Sequence, residues 1–145
     1  MSRPIAALAV ALIAASVASC QTVPLPCEYS GPLLKTRAGT VATYNAKEMK
    51  GRAVRKVDLS GLIRNADIKG TAKADLLIGT SGEVVCLKVA ATHPLLKESV
   101  ERALSSWQFK PAAEKRQPVA YLGRLEFLLC NINCGGNSTG MTLLK

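Results

Sequence analysis

The chain has 145 residues, enough for one domain around a single core, and 19 Lys+Arg against 10 Asp+Glu give it a formal net charge of +9. That balance favours acidic partners such as anionic lipid head groups or an acidic protein. It does not point to nucleic acid, because the leading segment exports the chain and the aromatics, 4% of the sequence, form no stacking platform.

The chain opens with Met1-Ser2-Arg3-Pro4, an apolar or small run from Ile5 to Ala15, and small residues up to Cys20. One positive charge, an apolar stretch of about a dozen residues and a small-residue cut site predict a secretory signal over 1–19. A membrane-spanning helix needs roughly 20 apolar residues, more than this stretch supplies. Val17-Ala18-Ser19-Cys20 resembles the bacterial lipobox, which implies cleavage before Cys20 and lipidation of its thiol. Gln21, in place of an aspartate, implies sorting to the outer membrane and exposure to the periplasm. A soluble periplasmic chain or an inner-membrane anchor is the alternative. Cysteine parity agrees with lipidation: capping Cys20 leaves Cys27, Cys86, Cys130 and Cys134, an even set for an oxidising compartment. Loss of Arg3 leaves 18 basic residues against 10 acidic ones, a net charge of +8.

Residues 20–56 read as an irregular, basic lead, broken by Pro24, Pro26, Pro32, Gly31 and Gly39. Lys47, Lys50, Arg52, Arg55 and Lys56 gather at its end, a cluster suited to anionic lipid beneath a lipid anchor. Gly51 and Gly61 shorten any helix here, so one short helix is predicted over Ser60 to Asn65. From Thr71 the period becomes two: Ala72, Ala74, Leu76 and Ile78 share one face, with Lys73 and Asp75 on the other. Thr80-Ser81-Gly82-Glu83 is a hairpin turn, and the return strand from Val84 to Ala90 points Val85, Leu87 and Val89 inward and Cys86 and Lys88 outward. His93-Pro94 opens a helix with proline at its first position, and Leu96, Val100, Ala103, Leu104 and Trp107 form its apolar stripe. The helix stops before Pro111, and a last strand runs from Val119 to Cys130. Residues 132–145, rich in glycine between Gly135 and Gly140, read as a flexible tail. The body, 57–131, is therefore α+β: a two-layer sandwich of a three-stranded antiparallel sheet, one main helix and a short preceding helix. If the first strand sits in the centre, every pair is antiparallel and the last strand is left as an edge; periodicity alone does not choose that order.

His93 is the only histidine and stands beside no marked nucleophile, so neither a catalytic residue nor a cofactor is expected. Cys130-x-x-x-Cys134 with Cys27 and Cys86 offers four thiolates to zinc, but in an exported chain disulfides are the expected state and a metal is not. Three pairings stay open. Cys86 and Cys130 both face the open side of the sheet, where either the lead with Cys27 or the tail with Cys134 can be stapled.

The run Leu76-Leu77-Ile78-Gly79-Thr80-Ser81-Gly82-Glu83-Val84-Val85, the helix start His93-Pro94-Leu95-Leu96 and the run Trp107-Gln108-Phe109-Lys110-Pro111-Ala112 resemble the C-terminal domain of the TonB family. His93, Pro94, Trp107, Phe109 and Pro111 are expected to mark the fold, through packing. The resemblance implies a non-enzymatic module that takes an extended peptide from an outer-membrane receptor or other envelope partner as an added strand, in the service of transmembrane transport. It implies that the strand Val119–Leu129 is the accepting edge, with Tyr121, Gly123 and Arg124 as contacts, and the same edge would allow a homodimer. Two departures stand out: Tyr44 is followed by Asn45 where the family often has proline, and the anchor and proline-rich spacer of an energy transducer are not seen. An envelope lipoprotein or assembly factor that uses the fold as a scaffold is the alternative.

Overall fold

The computed structural model describes residues 25–57, 69–130 and 140–143. The alternating stretch Gly70–Ile78 (β3) is the middle of the sheet, antiparallel to Val84–Ala91 (β4) on one side and to Tyr121–Cys130 (β8) on the other. Its even-numbered side chains, Ala72, Ala74, Leu76 and Ile78, are all buried on the helix side, as period two requires. Pro94–Leu104 (α2) lays Leu96, Val100, Ala103 and Leu104 against that face. His93 is its N-cap, with Nδ1 accepting the Leu95 N–H at 3.2 Å, and Pro94 occupies the first turn, where no donor is lost.

Among the described residues the sheet has five strands, not three. Thr43–Tyr44 (β1) runs parallel to β8, and Gly140–Leu143 (β9) runs antiparallel to it, both on the side of β8 away from β3. The lead predicted to be irregular holds β1, the helix Ala46–Arg52 (α1) and Ala53–Arg55 (β2), which pairs with Gln108–Phe109 (β5). Asn45 starts α1 with a capping box: its Oδ1 accepts the Glu48 N–H at 3.1 Å, and the Glu48 carboxylate accepts the Asn45 N–H at 2.8 Å. The helix predicted over Ser60–Asn65 lies outside the described residues. Part of the tail expected to be flexible forms β9.

Two further differences have local causes. A register shift between Leu77 and Ile78 makes Val85 the extra residue of a bulge, so Val84 packs inward and Val85, predicted inside, is 43% exposed. Between Pro111 and β8 the chain makes a hairpin, Ala112–Glu114 (β6) against Gln117–Val119 (β7), turning on Lys115 and Arg116 at φ 48° and 70°.

The opposite face of the sheet carries a second cluster, Leu77, Ala120 and Leu122, covered by Leu25, Cys27, Tyr29, Leu33 and Val41 of the lead. A Cys27–Cys86 disulfide staples that cover to β4. Of the two segments that could cross this face, the lead does so. Cys134 lies outside the described residues.

Candidate partner-binding rim

The family signature is structural throughout. Trp107 and Phe109 are buried, Trp107 meets Phe127 edge-on at 6.3 Å, and its Nε1 donates to the Val57 carbonyl at 3.3 Å. Gly82, at φ +90°, lies against the Phe109 carbonyl, where a Cβ would collide. That contact and the bond from the Gln108 amide to the Ser81 carbonyl tie the signature to the β3–β4 turn.

The outer rim of β8 can be read group by group. The Ala120 N–H donates to the Pro32 carbonyl at 2.9 Å and the Leu122 N–H to the Ala42 carbonyl at 3.1 Å. With a period of two, Arg124, Glu126 and Leu128 turn their backbone groups the same way, while the odd-numbered residues face β3. β1 is opposite Leu122 and Gly123, and β9 is opposite Phe127 to Cys130. Among the described residues, no strand is opposite Arg124, Leu125 or Glu126 on this side. A recess of about 360 Å³ opens there, lined by Asn45, Ala46, Lys47, Arg124 and Glu126.

The rim expected to be free is therefore largely occupied, and two of the three expected contacts change role. Tyr121 is fully buried on the helix side, its hydroxyl donating to the Lys110 carbonyl at 2.9 Å. Gly123 is buried under Met49 of α1, whose Sδ and Cε fill the space a Cβ would need. Arg124 stays exposed, its Nε donating to Asp75 Oδ1 at 2.7 Å, and the neighbouring Lys73 pairs with Glu126 at 3.4 Å. Both pairs are solvated and contribute at most about 1 kcal/mol each. At the other edge of the sheet, β4 has a strand on one side only among the described residues. The exposed Lys88 in its middle disfavours casual pairing there, including self-association.

Arg52 is the residue whose role the sequence concealed. It belongs by sequence to the basic cluster, but its guanidinium lies between the Tyr44 and Tyr121 rings, 4.7 Å from each centroid, and donates to the carbonyls of Lys110 and Pro111 at 3.1 Å. The two rings meet edge-on at 5.0 Å. This stack clamps β1 and α1 onto the first half of the rim. Burial raises the Tyr121 hydroxyl above the usual phenol value, while Arg52 pulls it back. With its value raised, neutral Tyr121 contributes stability that is full below pH about 10 and is lost as pH rises further. The phenolate is poorly solvated there and no longer donates to the Lys110 carbonyl.

Geometry and sequence together define a helix-on-sheet domain whose outer strand accepts further strands of either direction. Residues 62–129 match the family model described as the Gram-negative bacterial TonB protein C-terminal, consistent with a domain of that family over this stretch. The family is one of non-enzymatic protein-interaction domains, which supports an envelope-associated, protein-binding role for this chain. Comparison with curated proteins gave no match, and neither did comparison with solved structures. Among the described residues, no helix is long and apolar enough to cross a membrane.

Proposed function

We propose that the chain is a periplasm-facing module, held at the outer membrane by an acylated Cys20, that accepts an extended segment of an outer-membrane receptor or other envelope partner as a strand added to β8, in support of transport. The observation that carries this reading is the division of the rim. Its first half is filled by residues that the Arg52 clamp and the buried Met49 hold in place. Its second half, from Arg124 onward, is open over three residues and then meets β9, a strand of only four residues. Short edge elements open at a small fraction of the global unfolding free energy. A visiting strand that displaces β9 gains continuous rim from Arg124 to Cys130, with backbone bonds supplying affinity.

The filled rim also favours a second reading, in which β9 never leaves and the fold is an envelope scaffold. Truncation after Cys134 separates the two. A peptide copied from the periplasmic N-terminal segment of an outer-membrane receptor is expected to bind the truncated chain about tenfold more tightly than the full chain, because the competing occupant is gone. Equal affinities, or no binding to either, would leave the scaffold reading standing.

A further inference from the structure

We infer a second interaction surface, separate from the rim: the hairpin end of the domain docks on the anionic phospholipid head groups of the bilayer that anchors the chain. Four observations converge there. Lys110 bonds through its N–H and carbonyl to Arg52 and leads into β6, which turns back through Lys115 and Arg116 into β7. Immediately afterwards Ala120 bridges Leu33, and Lys35 follows in the lead. This brings the exposed cations Lys35, Arg55, Lys110, Lys115 and Arg116 to one end of the sheet.

The paired cations of the domain lie elsewhere, and the five share their unpaired state among the described residues with Arg37, Lys47, Lys50, Lys56, Lys69 and Lys88. Lys73, Lys97, Arg102 and Arg124 each pair with a carboxylate, whereas none of the five at the hairpin end has an ion-pair partner among the described residues. Glu48, on the neighbouring helix, is committed to its capping box.

The turn itself is unusual. A two-residue hairpin with both central residues at positive φ is the setting for Asn-Gly or Gly-Gly, yet here it holds Lys115 and Arg116. The backbone would be less strained with glycine. What the sequence keeps instead is two cations at the farthest point of the hairpin.

The staple sets the height above the membrane. Cys86 is in register with Leu77, and Leu77 with Leu122, two residues from Ala120, so Cys27 is fixed at the same end as the cations. With Cys20 acylated, the leash to that fixed point is the seven residues to Cys27, at most about 25 Å when fully extended. Without the disulfide, the next backbone attachment to the sheet is the Leu33–Ala120 bridge, which lengthens the leash to at most about 45 Å. The covalent path therefore brings the basic end to the lipid, where each cation near the surface strengthens attachment.

The test uses the disulfide-intact mature chain, residues 20–145 without acyl groups, and vesicles of 30% phosphatidylglycerol in phosphatidylcholine or of phosphatidylcholine alone. Binding is expected only to the anionic vesicles and should fall as salt rises. Lys115→Gly/Arg116→Gly is expected to weaken it about 30-fold, equivalent to about 2 kcal/mol. The same variant should raise the urea midpoint, because glycine relieves the turn. Lys97→Gln/Arg102→Gln, an equal loss of charge on α2, should change binding by less than about twofold. Equal losses from the two variants would reduce the effect to net charge and overturn the proposal. So would undiminished binding by the hairpin variant, or equal binding to neutral vesicles. None of these outcomes bears on peptide capture at β8, so the two surfaces stand or fall separately.

Discussion

Replacing Cys86 by serine is expected to lower the unfolding free energy by about 4 kcal/mol, the largest single effect anticipated in this protein. The disulfide closes a loop with a sequence separation of 59, and the entropy removed from the unfolded chain scales with the logarithm of that length. The native state loses as well. Without the staple, the cover of Leu25, Tyr29 and Leu33 is held only by its contacts with Leu77, Ala120 and Leu122. Urea unfolding of oxidised and reduced chain should reproduce the difference, and the reduced chain should bind a hydrophobic dye that the oxidised chain excludes. A shift below about 1 kcal/mol would mean that the lead packs without its covalent bond.

Arg52→Leu is expected to cost about 3 kcal/mol. Two charge-assisted bonds to carbonyls contribute about 1.5–3 kcal/mol each, and two ring stacks about 0.5–2 kcal/mol each. Against this, the Arg52 Nε is buried without a partner among the described residues, a penalty of about 1–3 kcal/mol that the variant removes. Arg52→Lys keeps the charge but not the planar fork, and should recover less than half of the loss. The consequence for the rim is specific. With the clamp gone, the Leu122 amide, bonded to Ala42 in the native chain, should exchange with solvent much faster, while amides at the centre of β3 change only with global stability. Uniform acceleration across the sheet would show that Arg52 holds the core and not the rim.

The long elements were legible because each carries its own period. β3, β4 and α2 announce themselves through alternation or through a stripe at helical spacing, and Trp107 and Phe109 fall where those patterns end. The short elements have no period to read. β1 is two residues and β9 four, and each exists only because β8 offers backbone groups, which leave no trace in side-chain sequence. Occupation of the rim was therefore invisible, as were the burial of the Tyr121 ring and the seat that Gly123 makes for Met49. Two signals were present but unused. Asn45-x-x-Glu48 is a capping box that places α1. Tyr44 and Tyr121 flanking a nearby arginine are the material of a cation–ring stack. The hairpin over 112–119 was hidden for a physical reason: its turn uses Lys115-Arg116 where glycine or asparagine is the normal marker. The disulfide needed three dimensions, since four cysteines allow three pairings.

The capture of a strand by β8 is tested most directly by amide chemical shifts. Isotopically labelled mature chain would be titrated with the receptor-derived peptide and followed residue by residue. The expected result is a contiguous set of perturbed amides from Arg124 to Cys130, with the 140–143 signals moving to the positions they show in the free tail, and Ala120 to Gly123 unchanged. Perturbation confined to Val85–Ala91 would place capture at the other edge of the sheet, and an unperturbed β8 would contradict the account.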